Sequence, residues 1–562
     1  MMCNIGRFME KVVMKTIINF CQKHKVLIFE IIAISLIAIF SFSLAPKVLQ
    51  NDTFYTVAIG NLIKQNGIDM KDHFSWHEDL PYTYPHWLYD VIMSFIYNIG
   101  GWQAIYISVC VLSIVLGITI YEVNKKLNKN QILSAIIALV SMYLLKNYIA
   151  ARAQLVTFII FVWVIFFIEK FLENPKKIGY AIGIVLSSIL IANLHVAVWP
   201  FLFVIFLPYI AEYIIAILAD IIIFRKMEIF QKKWKIKHTK NNEDKVQKLK
   251  SKLDEIYISN EKRKKYREEQ EPYKITFKRN KNIKWLIVVM LICALTGFLT
   301  PLGTTPYTYL YNTMQGNTTS NINEHLPLTL INDIPIFCTI IIIIAVLTFT
   351  KCKIRLADLF MIGGLTFLMF SSKRQSTMFV LFGSIILNRL ITNTMEIYGK
   401  EKIEIYAKQF INIFTIVMIA IPTIYYSYKN IKNKKNNSYI SEFSYPVQAS
   451  EWILKNLDVN NIKLFNEYNY GSYLLYKGIP VFIDSRADLY APEFNKNKDI
   501  FMDFINTSNI GIYYGKTFKD YNITHIILYK NAKIAMLIDE ADQEKYNKIY
   551  SDDYFVIYEI VK

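Results

Sequence analysis

The chain has 562 residues and a formal net charge of +18, with 54% hydrophobic and only 19% charged residues. Soluble globular proteins carry about 45–50% apolar and about 25% charged residues, so the composition excludes an ordinary soluble enzyme as well as a disordered chain. A basic excess on so few charged residues fits either a nucleic-acid-binding surface or the cytoplasmic loops of a membrane protein.

Apolar stretches of about 17–25 residues recur along the chain, and each can cross about 30 Å of hydrocarbon as a helix. About eleven are predicted, near residues 27–45, 102–121, 131–147, 155–171, 178–193, 199–224, 284–300, 335–350, 356–371, 376–392 and 409–426. A further apolar stretch at 87–99 contains Asp90 and is expected to lie in the membrane interface. The chain is therefore predicted to be an α-helical polytopic membrane protein.

Lysine and arginine predict the orientation of these helices. Lys11, Lys15, Lys23 and Lys25 precede the first span, which places the N-terminus in the cytoplasm under the positive-inside rule. The basic loop at 225–283 falls on the same side, with 20 Lys/Arg against 9 Asp/Glu in residues 225–281. Orientation and contact with anionic membrane lipids account for this excess. Since no nucleic-acid-binding module is present, nucleic acid is not expected as a partner.

The chain is predicted to have two domains. Residues 1–426 form the transmembrane domain, in which 46–101 is a long first outer loop. Residues 427–562 form a small extracytoplasmic α/β domain, because PVQASEWILKNL has the pattern of an amphipathic helix while IKLFNE, PVFID and THIILY have that of short buried strands. An odd number of spans places this domain outside the plasma membrane.

Unusual polar residues collect at the predicted outer ends of the spans. Each has an ordinary explanation: Asp52 could cap a helix, His195 could be a buried core histidine, and the arginines could reach lipid headgroups. Their arrival at one face from different spans instead favours a shared cavity in which arginine binds phosphate beside a carboxylate. The residues concerned are Asp52, His86, Arg152, Gln154, His195, Glu324, His325, Lys373 and Arg374.

Three charged residues in the tail form a second group. Asp484, Arg486 and Asp488 lie in IDSRADLY, directly after a predicted strand, which is where α/β folds place ligands. A turn held by surface salt bridges is the alternative interpretation. We expect a weak contribution to acceptor binding from these residues.

With these features the chain resembles the GT-C superfamily of polytopic membrane glycosyltransferases, in particular the bacterial type that uses polyprenyl-phosphate sugars. The resemblance lies in the cytoplasmic N-terminus, a long first outer loop that opens with an acid, about eleven spans and an outer C-terminal domain. Short segments also carry it: YPHW, RAQL, NLH, NINEHLP, SSKRQ and LFNEYNYGSYLLYKGIPVFIDSRADLY. A clear D-x-D or D-E pair after the first span is absent.

The resemblance implies transfer of a sugar from a polyprenyl-phosphate donor to a glycan, lipid or protein acceptor on the outer side. Asp52 would act as general base or metal ligand, and Arg152, Arg374 and Lys373 would bind the donor phosphate. The substrate-orienting residues would be His86, His195, Glu324, His325 and Gln154. The sequence requires no cofactor and leaves a divalent metal open.

Other functions remain open at this stage. A transporter or flippase of lipid-linked substrates could use Glu30, Glu212 and Asp220 as a proton relay. A polysaccharide polymerase or ligase would also present arginine and histidine on the outer face, and a non-enzymatic membrane scaffold would need no site. Transport predicts a dispensable tail, whereas a transferase depends on Asp52 and the outer arginines.

Overall fold

The computed structural model describes residues 25–239, 243–270, 274–277, 279–398 and 405–561, and most of these residues are helical. Lys11, Lys15 and Lys23, three of the four lysines on which the predicted position of the N-terminus rests, lie outside the described residues. The N-terminal part contains seven helices: α1 (Lys25–Leu44), α2 (Asn51–Asn66), α3 (Trp87–Asn128), α4 (Gln131–Leu145), α5 (Ala153–Glu173), α6 (Gly179–Leu194) and α7 (Phe201–Ile223).

Two of these helices lie within residues 46–101, the stretch that was predicted to be a long first outer loop. Helix α2 fills its first third, and the stretch expected in the interface at 87–99 is the beginning of α3. A kink at Gly100 and Gly101 separates this beginning from the rest of α3, because Gly101 has φ of +60°, which residues with a side chain rarely adopt. The irregular part that remains, residues 67–86, is called the first loop below.

The central part of the chain continues in the same way. The basic segment forms α8 (Lys226–His238) and α9 (Glu243–Gln270), and the next helices are α10 (Ile283–Thr296), α11 (Thr305–Gln315), α12 (Thr318–Asn321), α13 (Ile334–Phe349), α14 (Leu356–Ser371), α15 (Ser376–Tyr398) and α16 (Ile405–Lys434). Two short strands, β1 (Ile275–Thr276) and β2 (Ile354–Arg355), pair in parallel.

Among the described residues, six helical segments are long and apolar enough to cross a membrane: Val26–Leu44, Trp87–Asn128, Gln131–Tyr148, Ala153–Glu173, Val196–Ile223 and Lys373–Tyr398. Four apolar helices are shorter: Gly179–Leu194, Ile283–Thr296, Ile334–Phe349 and Leu356–Ser371. The protein is a multi-pass helical membrane protein, as predicted, and the number of eleven spans stays a prediction.

Close packing of α2 on α3 fixes the position of the first acid. Gly60 of α2 lies against the backbone carbonyl of Asp90, so closely that an added Cβ would overlap it. Because glycine lets the two helix backbones touch, α2 is held along α3, and its first turn, which contains Asp52, has a defined place at the end of the bundle. We call this end, where α2 and α5 begin, the cavity end.

A buried ionic network joins helices at the other end. Arg389 of α15 pairs with Asp358 of α14 at 2.6 Å, and Arg355 pairs with Asp358 at 2.9 Å. Both arginines also face Glu169, near the C-terminal end of α5. Since two acids balance two arginines, the network can be buried without an uncompensated charge.

The C-terminal part contains α17 (Val447–Asn456), α18 (Tyr468–Tyr476), α19 (Pro492–Asn495), α20 (Ile500–Ser508), α21 (Tyr514–Asp520) and α22 (Lys533–Ala541). Four strands, β3 (Leu464–Phe465), β4 (His525–Tyr529), β5 (Tyr546–Ser551) and β6 (Phe555–Ile560), form a sheet in the order β3-β4-β6-β5. Strands β3 and β4 are parallel, whereas β6 is antiparallel to both of its neighbours.

The predicted strand in PVFID is wrong. This segment is buried and irregular, and Val481 instead forms an isolated bridge with Ser75 of the first loop. The backbone nitrogen of Val481 donates to the Phe74 carbonyl at 3.2 Å, and the Trp76 indole donates to the Leu464 carbonyl at 2.9 Å. The apolar run therefore binds the first loop rather than joining the sheet.

An ion pair completes this junction, which we call the loop–tail joint (Asp72, Ser75, Val481, Asp484 and Arg486). Arg486 Nη1 donates to Asp72 Oδ1 at 2.6 Å, and its Nη2 donates to Asp484 Oδ2 at 2.7 Å. All three side chains are at most 3% exposed. The first loop and the C-terminal part thus share one buried charge cluster.

Candidate functional site

A cavity of about 620 Å³ opens at the cavity end, between the helix bundle and the C-terminal part. Except for Lys373 and Asp484, every residue proposed from the sequence for the transferase site lines it. These residues are Asp52, His86, Arg152, Gln154, His195, Glu324, His325, Arg374, Arg486 and Asp488. The convergence that the sequence suggested is therefore present in the structure.

One arginine lies between two carboxylates in this cavity. Arg152 directly precedes α5, and its Nε lies 2.7 Å from Oδ2 of Asp52. Its Nη1 donates to Oε1 of Glu324 at 2.8 Å. Burial opposes ionisation of Glu324, but the charges of Arg152 and Arg374 outweigh this effect and hold the pKa of that carboxyl below its usual range. The cluster contains two negative charges and one positive charge.

A second arginine is not neutralised in this way. The backbone nitrogen of Arg374 donates to the Glu324 carbonyl at 2.9 Å, which fixes the residue beside the carboxylate cluster. Within the part of the chain that the structure describes, its guanidinium forms neither an ion pair nor a side-chain hydrogen bond. Arg374 is therefore a cation available for a ligand in the cavity.

Lys373 does not belong to the site, although the sequence suggested that it would bind phosphate. Its ammonium pairs with Asp333 at 3.1 Å, and it does not line the cavity. The reason is local: Lys373 and Arg374 share a single 3-10 turn, Lys373–Gln375, and point to different sides of it. The Tyr148 hydroxyl holds this turn by donating to the Lys373 carbonyl at 3.1 Å.

Histidines form the wall opposite. The rings of His86 and His195 are 4.9 Å apart, and the backbone nitrogen of Val196 donates to the Pro85 carbonyl at 3.0 Å. Burial, together with the charges of Arg374 and Arg152, lowers the pKa of His86 to about 3. Burial and Arg374 lower the pKa of His325 to about 4. At neutral pH these histidines are uncharged hydrogen-bonding groups.

The C-terminal part closes the cavity. Asp488 accepts a hydrogen bond from the Tyr309 hydroxyl at 2.5 Å, and burial raises the pKa of its carboxyl. Asp484 lies behind the wall rather than in it, because it accepts from Arg486 and from the Tyr490 hydroxyl. Arg486 reaches the cavity surface, but its charge is already bound by Asp72 and Asp484.

Most tyrosines and asparagines of the cavity could not be predicted from the sequence, although Tyr82 and Tyr89 belong to an aromatic-rich stretch between Asp52 and Gly100 that fits sugar binding as well as a belt at the membrane interface. Those that line the cavity are Tyr55, Tyr82, Tyr89, Tyr309, Tyr468, Asn51, Asn321, Asn323 and Asn469. With 38 tyrosines in the chain, composition could not distinguish them.

The donor set for a metal ion is incomplete. The described residues contain no group of three or more His, Cys, Asp or Glu side chains placed to hold a metal. Asp52 and Glu324, the carboxylates nearest to such a role, both face Arg152. Divalent metal ions such as Mg²⁺ and Mn²⁺ prefer several free oxygen ligands, so these residues do not fit one.

No protein-family model matches the chain, and no curated protein sequence matches it. Its fold is similar to that of the archaeal oligosaccharyltransferase AglB from Archaeoglobus fulgidus, solved in complex with an inhibitory peptide and a dolichol-phosphate. The two structures align with a TM-score of 0.55 at 12% sequence identity, over 92% of this chain and 71% of that chain. The likeness supports the predicted polytopic helical fold, and at this identity it shows the fold alone.

Proposed function

We propose that the protein is a membrane glycosyltransferase that moves a glycosyl group from a polyprenyl-phosphate donor to an acceptor in the cavity. The observation that carries this proposal is the unpaired guanidinium of Arg374 in the same cavity as the carboxylates of Asp52 and Glu324, at one end of an apolar helix bundle. An anionic headgroup can bind in the cavity while its hydrocarbon chain stays in the membrane.

Arg374 binds the phosphate of the donor. During transfer the bond between the sugar C1 and the phosphate oxygen breaks, and negative charge accumulates on the departing polyprenyl phosphate. A fixed cation facing that charge stabilises the transition state, and removal of one such group typically costs about 10²- to 10³-fold in kcat. The neighbouring histidines are uncharged, so they do not compete with Arg374 as cations for the phosphate. They can donate hydrogen bonds to the same phosphate.

Asp52 accepts the proton of the incoming acceptor hydroxyl, as the new bond forms between that oxygen and C1. Its carboxylate is held in place by Arg152 and lies in the first turn of α2, where the helix dipole favours a negative charge. Proton transfer to Asp52 and departure of the phosphate then balance the reaction. Tyrosines along the cavity offer flat apolar faces and hydroxyl groups to the sugar.

We further propose the membrane orientation that the basic residues favour. Helices α8 and α9 lie in the cytoplasm, and the cavity end and the C-terminal domain lie outside the plasma membrane. The acceptor then enters from the outside, between the bundle and the residues after 427. Cysteine labelling of Lys548→Cys, an exposed position, in intact cells tests this orientation, because an impermeant reagent reacts only with an outer residue.

A transfer assay with matched variants tests the activity. Purified protein in lipid nanodiscs is incubated with radiolabelled polyprenyl-phosphate sugars, and release of polyprenyl phosphate is followed. Arg374→Gln and Asp52→Asn should each lower kcat at least about 10²-fold. Lys373→Gln is the control, since this neighbouring cation lies outside the cavity. Equal losses in Arg374→Gln and Lys373→Gln would contradict the assignment of the phosphate to Arg374.

The transporter alternative has less support from the structure. Glu30, one of the acids suggested as a proton relay, pairs with Lys125 at 2.6 Å. Asp220 pairs with Lys226 at 3.4 Å. Both carboxylates are thus held in ion pairs with lysines and do not line a path of free acids through the bundle.

A further inference from the structure

We propose that Arg152 is a permanent internal cation that occupies the place between Asp52 and Glu324, so that the site binds its substrates without a divalent metal between these carboxylates. The inference rests on the proposed function for its meaning in catalysis. Its structural basis is independent of that function, because it concerns which cation the two carboxylates hold.

Arg152 connects three separate segments of the chain. Asp52 belongs to the first turn of α2, Arg152 precedes α5, and Glu324 lies in the loop between α12 and α13. Its Nε lies 2.7 Å from Asp52 Oδ2 as an ion pair without hydrogen-bond geometry, and its Nη1 donates to Glu324, so two different nitrogens of one planar group are used. A guanidinium presents its donors in a fixed fork, and this geometry suits two carboxylates at once.

The position of Arg152 requires these two partners. A cation directly before a helix lies at the positive end of the helix dipole, which disfavours it. Its side chain is only 25% exposed, so water compensates its charge incompletely. Asp52 and Glu324 supply the compensation, and the guanidinium is always protonated in proteins. The three charged groups therefore stabilise one another as a set.

A metal ion at this place would meet an unfavourable environment. It would lie beside a guanidinium that cannot lose its charge, and it would compete for carboxylates that are already paired. Within the described chain, no third acid, cysteine or histidine joins these two to complete a metal site.

Arg152 thereby acts as a positioning residue for both parts of the reaction. Through Asp52 it orients the proposed base. Through Glu324 it steadies the loop whose backbone carbonyl accepts a hydrogen bond from Arg374, the proposed phosphate ligand. One side chain thus connects the carboxylate that takes a proton with the cation that receives the leaving group.

Manganese binding tests the inference without relying on turnover. Purified full-length protein in detergent is titrated with Mn²⁺, and free Mn²⁺ is measured by electron paramagnetic resonance. The wild-type protein should bind no Mn²⁺ that depends on Asp52 or Glu324. Arg152→Gln should gain a Mn²⁺ site, which the double variant Arg152→Gln/Glu324→Gln loses. Arg152→Lys should exclude Mn²⁺ like the wild type, because it keeps the positive charge.

Two results would overturn the inference. The first is a Mn²⁺ ion bound by the wild-type protein and lost in Asp52→Asn or Glu324→Gln, a measurement that does not depend on how Arg152 variants fold. The second is Arg152→Gln binding no more Mn²⁺ than Arg152→Lys. If the protein transfers no sugar but these binding results hold, the proposed function fails while the role of Arg152 stands.

Discussion

Substitution of Arg486 by methionine should release the first loop from the C-terminal part. Methionine has a similar length and no charge, so Arg486→Met leaves Asp72 and Asp484 buried without their cation. The three side chains are 3%, 1% and 0% exposed, so water cannot replace the lost contacts. Removal of one partner from a buried pair costs about 3–5 kcal/mol, because the remaining charge stays uncompensated.

Hydrogen exchange at the loop–tail joint measures this loss of stability. The amides of Trp76 and Val481 donate across the loop–tail joint, to Val481 and Phe74 respectively, so their exchange requires the joint to open. At about 1.4 kcal/mol per tenfold change, the loss predicts exchange about 10²- to 10³-fold faster in these segments. Peptides from α5 should be unaffected, and transfer activity should fall because the cavity loses one wall.

The control is Lys477→Met in the same part of the chain. Lys477 pairs with Glu451 at 3.8 Å, and Glu451 is 66% exposed. Exposed pairs contribute about 0–1 kcal/mol, so exchange at the joint should change less than about tenfold. If Arg486→Met also changes exchange by less than about tenfold, the buried charges do not hold the loop, and the reasoning is refuted.

Three further predictions concern stability. The wild-type protein should lose stability as the pH falls from about 6.5 to about 4, because the pKa of His325 is about 4 in the folded chain while the unfolded chain takes up this proton near pH 6.5. In His325→Gln this loss should be smaller, as measured by thermal unfolding in detergent. Burial raises the pKa of Glu467 to about 7, so the wild-type protein should lose stability as the pH rises from about 4.5 to about 7. Glu467→Gln removes this charge and should therefore stabilise the protein above about pH 7. A pH profile of stability equal to that of the wild type would contradict the prediction. Gly60→Val should lower stability by about 1–3 kcal/mol and reduce transfer, because the new side chain separates α2 from α3; a melting temperature equal to the wild type would argue against this packing.

The sequence predicted the helices well because hydrophobicity is a local property. Each predicted span coincides with a helix, and the polar residues at helix ends meet because neighbouring helices end at the same level. The errors about individual residues come from local backbone geometry, which the spacing of residues in the sequence does not determine. Lys373 and Arg374 are adjacent cations, and only the 3-10 turn decides which one faces the cavity.

Tertiary pairing explains the other differences. PVFID has the composition of a strand, yet its partner is the first loop rather than the sheet. Strands β5 and β6 were not predicted: β5 lies at the edge of the sheet and leaves much of its surface exposed, whereas β6 is a short apolar run that periodicity alone cannot assign to a strand or a helix. The pairing of Arg152 with two acids was equally hidden, because its partners lie about 100 and 172 positions away in the sequence.

The loop–tail joint has a consequence for how the protein is made. Its hydrogen bond from Arg486 to Asp72 joins residues 414 positions apart. At about 5–20 residues synthesised per second, the first loop is inserted about 20–80 s before its partner leaves the ribosome. During that interval Asp72 has no arginine to bind, and the cavity has no wall on that side. A chain that stops before residue 486 contains most of the helices but no complete site, so the site forms only once Arg486 and Asp488 have been synthesised.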